Sequence, residues 1–74
     1  MASTTVVAYV ERDAETGLFV GVVPGIRGAH TQAGTLDELR ENLKEVLALC
    51  VDEGWLTEAN APKFAGLEHV EVVV

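Results

Sequence analysis

Cysteine is almost missing from this chain: Cys50 stands alone among 74 residues. A single thiol makes no internal bridge, so disulfide stapling is excluded, and the composition fits a reducing compartment. Bases are scarce too. Five Lys and Arg face twelve Asp and Glu, for a net charge of −7, which argues against direct contact with DNA, RNA or an anionic membrane surface, since neutralising phosphates takes clustered cations. Metal ligands are few and scattered: Cys50, His30 and His69 lack the paired spacing of a structural zinc site. Neither a metal nor a cofactor is expected. No stretch approaches the ~20 apolar residues that span a bilayer. The opening MASTTVVAYVERD has no basic residue ahead of its apolar run, which Glu11 and Arg12 interrupt, so it does not read as a signal peptide. A cytoplasmic chain is expected.

A chain of this length is one domain with a marginal core, because small domains bury a modest fraction of their surface. Disulfides and metals are the usual reinforcements, and the composition offers neither. Association with a partner, identical or different, is the remaining route, and a high negative charge suits a basic one.

What is present is a series of short β-rich runs followed by one helix. Thr4 to Glu11, TTVVAYVE, is β-branched and carries a Tyr, so it reads as a strand. RDAETG has the Asp, Thr and Gly of a reversing loop. LFVGVV, Leu18 to Val23, is the second strand of the resulting hairpin. Pro24 and Gly25 end it, because proline donates nothing to a ladder and glycine accepts positive φ. A short third strand is expected over Ala29 to Gln32, completing a meander.

Thr35 and, three residues on, Glu38 form a capping-box pattern, and Asp37 and Glu38 suit the positive end of a helix dipole. From Leu36 onward Leu39, Leu43, Val46, Leu47 and Cys50 hold one helical face, and Gly54 reads as the C′ residue that stops the helix. Trp55, Leu56 and Phe64 are expected anchors in a looser segment. The closing LEHVEVVV reads as a final strand whose Val70, Val72, Val73 and Val74 need a partner, since an exposed apolar edge invites pairing. The second strand is apolar on both faces: Leu18, Val20 and Val22 on one, Phe19, Gly21 and Val23 on the other. One helix covers one face, which points again to a neighbouring subunit. The fold class expected is α+β, in the order β-β-β-α-β, as a single domain over residues 1–74.

Little in the chain resembles catalytic machinery. His30 has no nucleophile or orienting carboxylate assigned to it by the sequence, and reads as an ordinary strand histidine. Cys50 falls on the apolar helix face without an activating group, as a buried inert thiol does. RDAETG lacks the later carboxylates of an EF-hand, and PGIRGAHTQAG matches neither phosphate-binding glycine pattern. The charged feature that remains is the helix face opposite the apolar stripe, with Asp37, Glu38, Glu41, Glu45 and Asp52; Lys44 lies at its margin, three residues from Glu41. Such a face is either solvated or a docking surface for a basic protein.

From Tyr9 to Leu49, YVERDAETGLFVGVVPGIRGAHTQAGTLDELRENLKEVLAL, the chain resembles the HicB-like antitoxin domain. It has a strand ending in an acidic turn, GLFVGVVPG, an HTQ strand, and Gly34-Thr35-Leu36-Asp37-Glu38 opening an amphipathic helix. The resemblance implies a partial RNase H-like fold with self-association. It also implies a non-enzymatic role: the antitoxin of a type II toxin-antitoxin system, blocking a small basic mRNA endoribonuclease of HicA type. Longer members add a DNA-binding module. The roughly twenty residues after Gly54 are too few for one, so promoter binding is not expected. On this reading Asp37, Glu38, Glu41 and Glu45 are the partner-binding residues, Val70, Val72, Val73 and Val74 the self-association residues, and there is no catalytic residue. The alternative is a homo-oligomeric structural or small-ligand-binding module without a toxin.

Overall fold

The computed structural model describes residues 5–74. Three short strands, β1 (Tyr9–Arg12), β2 (Phe19–Val22) and β3 (His30–Ala33), precede one helix, α1 (Leu36–Asp52). The sheet is an antiparallel meander in the order β1-β2-β3. Tyr9 lies opposite Val22 and Arg12 opposite Phe19 in the first pair, and Val22 opposite His30 and Phe19 opposite Ala33 in the second.

The turns are built by the residues that suggested them. In the β1–β2 loop Asp13 Oδ1 accepts from Glu15 N–H at 2.8 Å and Thr16 Oγ1 from Leu18 N–H at 3.2 Å, while Gly17 takes φ +74°. These side-chain bonds reverse the chain locally. The Arg12 guanidinium lies 5.5 Å from the Phe19 ring centroid, on its cross-strand neighbour.

Helix α1 begins where the capping pattern put it. Thr35 is extended and its hydroxyl accepts from Glu38 N–H at 3.1 Å, the forward arm of the box. At the other end Gly54 N–H donates to Val51 C=O at 3.0 Å and Trp55 N–H to Cys50 C=O at 2.9 Å. With Glu53 as C-cap and Gly54 at φ +77°, this is a Schellman stop. It turns Leu56 back into the core.

That core is small. Val23, Ile26, Ala29, Cys50 and Leu56 form it, with Val6, Ala8, Val46, Leu47 and Ala61 packed against them. Leu39 and Ala33 are buried nearby. The face of β2 under the helix is the one holding Gly21 and Val23; a Cβ at Gly21 would stand 3.1 Å from Leu43 Cδ1, so absence of a side chain is what lets the helix settle there. On the opposite face Tyr9 and Val22 are exposed and Val20 half-buried.

Several expectations need correction. Strand β1 starts at Tyr9, residues 5–8 lie outside the sheet, and Thr4 falls outside the described residues. Phe64 is not an anchor: it is 59% exposed, whereas Leu56 is buried. The closing stretch 67–74 forms no strand, so the order among the described residues is β-β-β-α. The reason is that a strand exists only against a neighbouring ladder, and here Val70, Val72, Val73 and Val74 meet none; Val73 is 97% exposed. All of residues 62–74 are exposed. The radius of gyration, 13.7 Å, accordingly exceeds the roughly 11 Å of a compact chain of this length.

Candidate functional site

The helix displays its acids because its apolar stripe is taken up by the sheet. Leu39 and Cys50 are buried and Leu43, Val46 and Leu47 half-buried, while Asp37, Glu38, Glu41, Glu45 and Asp52 are all exposed. At 100° per residue these acids occupy one sector of the helix. The Lys44 ammonium meets Glu41 Oε1 at 3.2 Å, with both side chains about two-thirds exposed. An exposed pair of this kind contributes little stability, and one ammonium beside five carboxylates leaves the sector negative. Asn42, on the flank toward β3, donates to Gln32 C=O at 3.3 Å and ties the helix to that strand.

Helix α1 lies over β3 and β2 and not over β1. The uncovered strip is an open groove of about 370 Å³. One wall is Val6, Ala8 and Val10; the other is Leu36, Leu39, Leu43 and Leu47, and Arg40 and Lys44 stand at its helix side. Those are the two basic residues of α1, so the helix is negative on its outer sector and positive beside the groove. Sequence reasoning missed this groove. Its one signal was Gly21, which marks where the helix side chains come down on the central strand but not which edge strand is left bare.

The other candidates stay apart. Buried Cys50 donates from Sγ to Arg27 C=O at 3.3 Å. Arg27 in turn has its guanidinium 5.1 Å from the Trp55 ring centroid. His30 is exposed on the outer sheet face, and its backbone N–H donates to Gly28 C=O at 2.9 Å. Among the described residues no group of three or more His, Cys, Asp or Glu side chains is placed to hold a metal, and no helix is long and apolar enough to cross a membrane. What the arrangement offers is surface: an acidic helix sector, an apolar groove with a basic margin, and an unpaired apolar tail.

No family model matches the chain, and no solved structure matches it at a significant level. Three curated proteins do match. A UPF0150 protein of Thermotoga maritima is 45% identical over 65 residues, covering 88% of this chain and 85% of the relative. Another from Synechocystis is 38% identical over 63 residues, 85% of this chain and 87% of the relative. A third, from Archaeoglobus fulgidus, is 41% identical over the same shares of the two chains. With identities of this size across most of both partners, the chain belongs to the UPF0150 family.

Proposed function

We propose that this protein is a non-enzymatic, self-associating binding module that uses its acidic helix sector to dock a small basic protein, as an antitoxin does when it blocks a HicA-type mRNA endoribonuclease. The observation that carries the reading is the exposed row Asp37, Glu38, Glu41 and Glu45 on one rigid helix, within a chain of net charge −7. A negative sector of this kind steers a basic partner and fixes its orientation. The HicB-like pattern of residues 9–49 supplies the partner class, and inhibition would be steric and electrostatic, with no chemistry asked of the antitoxin.

The test is a titration of any short basic protein found encoded beside this chain's reading frame, against wild type and E41K/E45K. Binding weakened about tenfold or more at low salt in the variant, with the two converging at high salt, supports the reading. Equal affinities at low salt overturn its electrostatic part. A second reading, a homo-oligomeric module with no toxin, is favoured by the bare valines at 70, 72, 73 and 74. The absence of any short basic protein encoded nearby would select it.

A further inference from the structure

We infer that the groove between β1 and α1 is the seat of the C-terminal segment of a second copy of this chain, exchanged reciprocally so that each tail adds a strand to the other's β1. This rests on the self-association reading above and gives it a geometry. Three independent features of the molecule meet in it.

The first is an open edge. β1 pairs with β2 on one side and, among the described residues, has no strand on the other. Asp13 N–H donates to Leu18 C=O, so the antiparallel alternation turns the backbone groups of Glu11 and Tyr9 toward β2 and those of Val10 and Arg12 outward. An unpaired row of donors and acceptors takes up another strand. The second is fit. Val10, like Val6 and Ala8, presents its side chain to the groove. A strand added here points alternate residues the same way, and in the tail Val70, Val72 and Val74 share one face. Residues 70–74 span about 13 Å as a strand, which fits within the roughly 16 Å that the helical wall rises from Leu36 to Leu47. The third is charge. Glu68 falls on the same face as these valines, and the groove's margin carries Arg40 and Lys44 in an otherwise acidic protein. The tail is the apolar segment that its own chain leaves bare: Val70 is 78% exposed and Val72 69%.

The experiment measures mass by native mass spectrometry for wild type, a tail variant (V70E/V72E), a groove variant (V10E/L36E) and a mixture of the two variants. All four substituted side chains are exposed in one copy, so the fold of each variant, checked by circular dichroism, is expected to persist. The inference predicts a wild-type dimer, a dissociation constant raised about tenfold or more in each variant, and dimer restored on mixing, because the tail-broken copy still offers a groove to the groove-broken copy's tail. If V10E/L36E fails to fold, R40E/K44E with E68K replaces it: reversal on one side weakens the dimer and reversal on both recovers it. A wild-type monomer would overturn the self-association reading itself. A wild-type dimer untouched by the tail and groove variants would leave self-association standing and overturn the exchange. So would mixing that restores nothing, as expected if each tail folds into its own groove.

Discussion

At Gly21 the side chains of the helix rest on bare backbone. An added Cβ would lie 3.1 Å from Leu43 Cδ1 and 3.4 Å from Leu39 Cδ2, so the Leu43 side chain at least would have to give way, and a larger side chain would press on both. Gly21→Val should therefore lift the helix and lower unfolding free energy by about 1–3 kcal/mol, read as a lower denaturant midpoint with an unchanged slope. At Thr35 the loss is of a different kind. Thr35→Ala strips the hydroxyl that satisfies Glu38 N–H and should cost about 1 kcal/mol, recovered in Thr35→Ser. These single-residue functions were legible in the sequence to unequal degrees. Thr35 announces itself through a local pattern, since a cap bonds three residues away. Gly21 was visible as a glycine in a strand, but what it accommodates is twenty residues distant in the chain, and no local pattern names the visitor.

At the scale of elements, α1 is the part the sequence fixes most fully. Its apolar period, its cap and its Gly54 stop are all short-range, and the observed Leu36–Asp52 helix with its Schellman end agrees with them. Strands are less local. β1 is shorter than its β-branched run, and residues 67–74 form no strand in spite of four valines, because pairing depends on a neighbour that propensity does not supply. The acids of α1 could be assigned to one sector from helical geometry alone. The groove could not, since it depends on the helix lying over β3 and β2 and missing β1. E41K/E45K is expected to leave thermal stability nearly unchanged, the Lys44–Glu41 pair being exposed, while reducing the rate of association with a basic partner at low salt. A stopped-flow salt series checks both the size and the salt dependence of that loss.

At the scale of the whole molecule, a core of Val23, Ile26, Ala29, Cys50 and Leu56 is small for a chain that leaves residues 62–74 entirely exposed. Neither a disulfide, with Cys50 alone, nor a metal cluster among the described residues reinforces it. On the proposed self-association, burial between copies supplies the reinforcement, and stability should then rise with protein concentration, as it does whenever folding is linked to association. Thermal melts at increasing concentration should shift upward, and V70E/V72E should abolish the shift. The most direct measurement is sedimentation velocity of the wild-type chain over a wide dilution series. The account predicts a species of at least twice the 7.9 kDa chain mass that dissociates only on dilution and loses stability as it does so. A well-folded species of 7.9 kDa at every concentration, melting at one fixed temperature, would contradict it.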